Sequence, residues 1–133
     1  MHEYKASVVR IVDGDTMDVL IDYGFKEYGE KRLRLAGPIG MRIDTPEIFN
    51  PSCPAELDHG RLAKAFVEKV CPVGTVVTII THKTKKGAER KTFGRYVMEV
   101  KYPLSPGLTG PGTEDLALML RVNKFEKREH YER

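Results

Sequence analysis

Three short stretches of this 133-residue chain concentrate polar groups that a small fold does not require for its own sake. Asp13-Gly14-Asp15-Thr16 holds two carboxylates beside a glycine, and Asp44-Thr45-Pro46-Glu47 holds two more around an X-Pro step. Arg34, with Arg32 and Arg42 nearby, joins Gly94-Arg95 in offering guanidinium groups. Each stretch has an ordinary structural explanation when taken alone. Asp-Gly is a favoured hairpin turn, an X-Pro pair favours an extended turn, and arginines on a strand face are mostly solvated. The turn uses Asp13 and Gly14, however, and leaves Asp15 over.

Taken together, the same residues form a chemical set. Asp15 and Asp44, with a backbone carbonyl, are hard oxygen ligands of the kind that hold Ca²⁺ or Mg²⁺ and leave positions for water and a phosphate oxygen. Glu47, three residues beyond Asp44, is placed to accept a proton from a metal-adjacent water. Two guanidiniums supply permanently charged, planar forks that match phosphate oxygens. Such a set suffices in principle for phosphodiester hydrolysis, because positioning and charge neutralisation dominate phosphoryl chemistry.

A scaffold must bring together groups that lie as much as eighty residues apart. Residues 4–12 are rich in β-branched side chains and read as a strand. Met17, Val19 and Ile21 alternate with Asp18, Leu20 and Asp22, so a second strand pairs back through Asp13-Gly14. Residues 23–30 carry two glycines and are expected to form a loop. In residues 31–36, Leu33 and Leu35 alternate with Arg32 and Arg34, which puts the arginines on one face of a third strand. Gly37-Pro38-Ile39-Gly40 and Asn50-Pro51-Ser52-Cys53-Pro54 interrupt the regular pattern. From about Asp58 the period becomes helical through Leu62, Ala63, Phe66, Val67 and Val70, with Leu62, Phe66 and Val67 expected in the core. Pro72 and Gly74 end that helix. Residues 73–81 read as a fourth strand, and Tyr96, Met98 and Val100 mark one face of a fifth. Residues 102–112 read as a loop, with Thr113 capping a short acidic-started helix to about Arg121. The last ten residues carry seven charges and are expected to be frayed or solvent-facing. Three strands, a helix, two strands and a helix is the order of the OB-fold, a mainly β (β + α) class: a five-stranded Greek-key barrel with two flanking helices, here a single domain over 1–133.

Composition bounds the rest. With 41% hydrophobic and 31% charged residues the chain suits a globular domain with one core. No apolar run approaches the ~20 residues that span a bilayer, so no membrane partner is expected. No basic-then-apolar leader opens the sequence, which favours the cytoplasm, although a mature secreted chain would read the same. Cys53 and Cys71 read as structural thiols, and His59 and His82 as surface histidines. The net charge of +3 conceals a gradient: residues 81–101 carry seven basic side chains against two acidic ones. Lys83, Lys85, Lys86 and Lys91 in that segment are candidates for point contacts to a nucleic-acid backbone.

Val12-Asp13-Gly14-Asp15-Thr16, Arg34-Leu35-Ala36-Gly37, Ile43-Asp44-Thr45-Pro46-Glu47 and Phe93-Gly94-Arg95 occur in that order, with the long helix between the last two. Together they resemble the signature of the staphylococcal nuclease (thermonuclease) family over roughly residues 4–122. The resemblance implies an OB barrel and a Ca²⁺-dependent nuclease that hydrolyses DNA and RNA, preferentially single-stranded, and leaves 3′-phosphates. It also implies roles. Asp15 and Asp44 would ligate Ca²⁺ with the Thr45 carbonyl, Glu47 would be the base or water-positioning group, and Arg34 and Arg95 would clamp the scissile phosphate. Arg34 lies ten residues before Asp44 where the family spacing is five. Removing residues 38–42 as an insertion restores the register and selects Arg34, with Arg42 as the alternative. Phe93 stands where the family often has tyrosine, and the family's longer C-terminal region is missing or replaced. A monomer is expected. The rival reading is a non-catalytic OB-fold module that binds nucleic acid or protein.

Overall fold

The computed structural model describes residues 2–38, 43–82, 91–92, 95–104 and 112–131, apart from the side chains of Lys91, Thr92 and Arg95. Strand β1 (His2–Asp13) turns at Gly14-Asp15 and pairs antiparallel with β2 (Thr16–Gly24), the last pair being Asp13 with Thr16. The register shifts between Val8 and Arg10 and again between Ile11 and Asp13. Irregularities of this kind bend a strand and help a sheet to curl.

Residues 23–30 are not the loop that their glycines suggest. Strand β2 continues to Gly24, and β3 (Glu27–Ala36) begins three residues later across a tight turn. Phe25 and Lys26 both adopt positive φ, 55° and 62°, as a two-residue hairpin demands. Neither residue type announces that geometry, so the turn is invisible to composition. The Asp22 carboxylate accepts from the Gly24 amide at 2.8 Å and helps hold it.

The other edge of β1 pairs with β4 (Val76–Thr81), which pairs with β6 (Arg95–Pro103). Strand β6 then runs parallel to β3, from Leu33 opposite Tyr96 to Ala36 opposite Glu99. That last contact closes a five-stranded mixed barrel, β3-β2-β1-β4-β6, of the OB type. The two-residue β5 (Lys91–Thr92) and three-residue β7 (Thr113–Asp115) add to β6. Leu33, Val19, Ile79 and Val100 are wholly buried inside, each contributing about 1.5–3 kcal/mol of transfer free energy.

Two helices cover the barrel. Helix α1 (Pro54–Val70) starts four residues before the helical period becomes legible, with Pro54 in its first turn. Proline suits that position because its missing N–H would be unpaired there anyway. Its buried stripe is Glu56, His59, Gly60, Ala63 and Val67. Val67 fulfils the sequence expectation and Phe66 is half-buried, but Leu62 is 60% exposed. The inner face carries a carboxylate, an imidazole and a glycine where the periodicity favours apolar residues, so the apparent stripe is rotated by one position. Thr113 does not cap α2 (Leu116–Val122). Residues 113–115 extend the sheet instead, and Asp115 is the cap, accepting from the Leu118 amide at 3.1 Å. Cys53 and Cys71 are buried free thiols, and burial pushes Cys71 up to about 12. No helix among the described residues is long and apolar enough to cross a membrane.

Candidate active site

The β1–β2 turn, the end of β3 and residues 43–47 meet at one end of the barrel. Leu35 donates its amide to the Asp15 carbonyl at 2.8 Å, fixing the turn beside β3. Asp15 projects inward. Its carboxylate accepts from the Thr16 hydroxyl at 3.0 Å and from the Thr45 amide at 3.1 Å, and its side chain is 8% exposed. The second bond draws the segment after β3 onto the turn, and Gly14 permits the approach: a Cβ there would stand 2.8 Å from the Thr45 side chain.

Arg34 occupies the centre of this arrangement. The alternation of β3 turns it away from the core leucines, yet the returning segment covers it and leaves its side chain 11% exposed. One terminal nitrogen, Nη2, donates to the Ile43 carbonyl at 3.2 Å, pairs with the Asp44 carboxylate and lies 3.7 Å from the Asp15 carboxylate. Arg32, two residues earlier on the same face, is spent on an exposed bidentate pair with Asp18.

Asp13, assigned to the turn alone by the sequence reading, belongs to the same electrostatic group. Burial, a side-chain hydrogen bond with Asp15 and the charges of Asp15 and Glu47 push its carboxyl up to about 7, against a smaller opposite effect of the Asp15 amide. The Asp15 amide donates to it at 3.0 Å. Glu47 itself is exposed. The site thus gathers more negative charge than the Arg34 guanidinium neutralises.

Helix α1 fixes the loop that bears Glu47. A Cβ on Gly60 would come within 2.7 Å of the Pro46 carbonyl and 2.6 Å of Ile48, so helix and loop touch at backbone distance. The Glu56 carboxylate is wholly buried and accepts from the Glu47 amide at 3.2 Å and the Ser52 amide at 2.7 Å. Burial alone would raise its pKa. The bonds from Ser52 and Glu47, with the Lys127 ammonium 3.3 Å away, outweigh burial and hold it at about 2. A group depressed in the folded state contributes stability that is present above its unfolded pKa, near 4.5, and lost as pH falls towards 2. Glu56→Gln is therefore expected to lose about 2 kcal/mol at pH 7, after discounting for the solvent around Lys127. The gap to the unsubstituted protein should narrow below pH 4.5, as read from urea-denaturation midpoints across pH.

Residues 124–131 are mostly solvent-facing, as expected, but they are tied down rather than frayed. The Lys127 amide donates to the Asp44 carbonyl at 2.8 Å. His59 is buried rather than superficial, one ring nitrogen bonded to the Lys124 carbonyl and the other to the Tyr131 hydroxyl, both at 2.8 Å. Phe125 packs on Phe66 and His59. His82 is half-buried and bonded to Glu99 at 2.7 Å. Of the residues the sequence reading missed, Glu56 had a signal: it stands three positions after Cys53, the N-cap of α1, with Pro54 between, the place of a capping-box acid.

Asp15, Asp44, Thr45 and Arg34 thus converge, and Glu47 lies within the electrostatic reach of Asp13. Arg95 has its backbone on β6, one residue before the Leu33–Tyr96 pair, and its side chain lies outside the described residues. Arg42, Lys83, Lys85 and Lys86 lie outside them too, as does the side chain of Lys91.

Among the described residues no three His, Cys, Asp or Glu side chains form a metal-holding group. The available donors are two carboxylates with neutral oxygens. The Thr45 hydroxyl is buried without a hydrogen-bond partner among the described residues, an acceptor that a cation would satisfy. Such a donor set lacks the imidazoles and thiolates that favour zinc, and suits a hard cation that keeps several waters. The chain matches no protein-family model and no curated protein.

Proposed function

We propose that this protein is a Ca²⁺-dependent nuclease that hydrolyses phosphodiester bonds of DNA and RNA, with single strands preferred. The observation that carries the reading is the convergence of Asp15, Asp44, Thr45 and Arg34 from three separate segments on an OB-type barrel. Asp15, Asp44 and a Thr45 oxygen would hold the cation, which supplies positive charge for the phosphate and acidifies a water. Arg34 binds and orients a phosphate oxygen with a planar guanidinium fork. The exposed Glu47 carboxylate accepts the proton of the attacking water. Arg95 adds a second guanidinium from β6. Water adds to phosphorus and gives its proton to Glu47, the bond from phosphorus to the 5′ oxygen breaks, the departing oxygen takes a proton from solvent, and 3′-phosphate and 5′-hydroxyl ends result.

Arg34 has two claims on it, since its Nη2 is engaged with both carboxylates. Were Asp15 and Asp44 to hold a cation, its positive charge would weaken their hold on Arg34, and the fork would be available to phosphate. Incubation of the purified protein with denatured DNA tests the reading directly. Degradation to 3′-phosphate ends is expected with Ca²⁺ and not with chelator. Retained DNA binding without cleavage in either condition would assign the chain to the non-catalytic binding modules.

A further inference from the structure

We infer that residues 124–131 form a strap that positions the acidic site, with Lys127 and Glu56 as its positioning residues; the catalytic part of this inference rests on the nuclease reading. Two independent attachments converge on the segment that carries Asp44 and Glu47. The Lys127 amide takes the Asp44 carbonyl at 2.8 Å, which fixes the peptide between Asp44 and Thr45. The Lys127 ammonium lies 3.3 Å from Glu56, whose carboxylate in turn takes the Glu47 and Ser52 amides. One residue of the strap therefore reaches both ends of the four-residue motif.

The strap is itself anchored. Phe125 lies against Phe66 of α1 with ring centroids 5.3 Å apart, and its amide bonds to the Leu120 carbonyl at 2.9 Å. His59 spans the strap by bonding to Lys124 at one end and Tyr131 at the other. The Tyr131 hydroxyl also accepts from the Arg128 amide at 3.1 Å. The wholly buried Glu56 can keep its charge because three donors surround it, two of them amides of the loop it holds. Outer groups that orient metal ligands and bases set affinity and rate without touching the substrate.

Three variants of the full chain test the strap: Glu56→Gln, Lys127→Met and Lys127→Arg. Amide exchange at Glu47 and Ser52 in Glu56→Gln is expected to quicken about tenfold or more beyond the change at core strand amides, which report the loss of global stability, because charge-assisted hydrogen bonds are lost locally. Ca²⁺ affinity by calorimetry and kcat on denatured DNA should both fall about 10- to 100-fold in Glu56→Gln and Lys127→Met, with KM unchanged. Lys127→Arg, which retains a cation at that distance, should recover both. Exchange at Glu47 and Ser52 that quickens no more than at core strand amides in Glu56→Gln overturns the strap. So does a loss of activity that follows the unfolded fraction with Ca²⁺ affinity intact. If the unsubstituted protein shows no chelator-sensitive cleavage, the nuclease reading fails, and the exchange measurement alone decides whether the strap positions this loop.

Discussion

Arg34→Ala is expected to lower kcat on denatured DNA in Ca²⁺ by ~10³-fold or more, the scale at which a guanidinium stabilises a phosphoryl transition state. The same substitution should weaken the metal-free fold. Asp15 is 8% exposed at its side chain and Arg34 is the cation beside it, so removing the guanidinium leaves a buried carboxylate without its opposite charge, at a cost of about 3 kcal/mol. Added Ca²⁺ should return part of that stability, because a ligand bound only by the folded state stabilises it by mass action. Urea denaturation of Arg34→Ala in chelator and in Ca²⁺ reads both effects. Arg34→Lys is expected to be nearly as damaging to turnover, since an ammonium cannot reproduce the planar fork. Arg42→Ala should lose far less. The reverse ranking would transfer the role to Arg42 and overturn the assignment of residues 38–42 as an insertion.

Glu47→Gln should separate chemistry from folding more cleanly than any other substitution here. The Glu47 side chain is exposed, and what the loop takes from this residue is its backbone amide, bonded to Glu56. An amide side chain leaves that bond in place and removes only the proton acceptor. A fall in kcat of ~10²–10⁴-fold is expected, the contribution of a positioned general base, with KM, Ca²⁺ affinity and the unfolding midpoint close to those of the unsubstituted protein. A variant as active as the parent would remove Glu47 from the mechanism and leave the water without an identified base.

Local pattern made much of this molecule legible. The alternation of Leu33 and Leu35 with Arg32 and Arg34 separates core face from outer face, because a strand's side chains alternate regardless of what surrounds it. Asp13-Gly14 marks the first hairpin, although Asp13 closes β1 and the two turn residues are Gly14 and Asp15 rather than Asp13 and Gly14, and the order of elements is enough to name a five-stranded barrel. Where local signals mislead, another part of the chain supplies the missing term. Phe25 and Lys26 turn a hairpin with positive φ although nothing in their types favours it. Leu62 points to solvent because Gly60 must lie against Pro46. Residues 113–115 join β6 rather than starting a helix, since an open strand edge is there to take them.

The candidate site divides along the same line. Residue type and order alone determined the ingredients: Asp15, Asp44, Glu47 and Arg34 carry their chemistry in their side chains, and their motifs are short and contiguous. Only the tertiary structure decided that Asp13 shares the charge of Asp15, that Glu56 is a buried anion rather than a helix-start acid in water, and that Lys127 reaches Asp44 from the far end of the chain. Electrostatic coupling, desolvation and long-range hydrogen bonding depend on distances through space, and a sequence records only distances along the backbone.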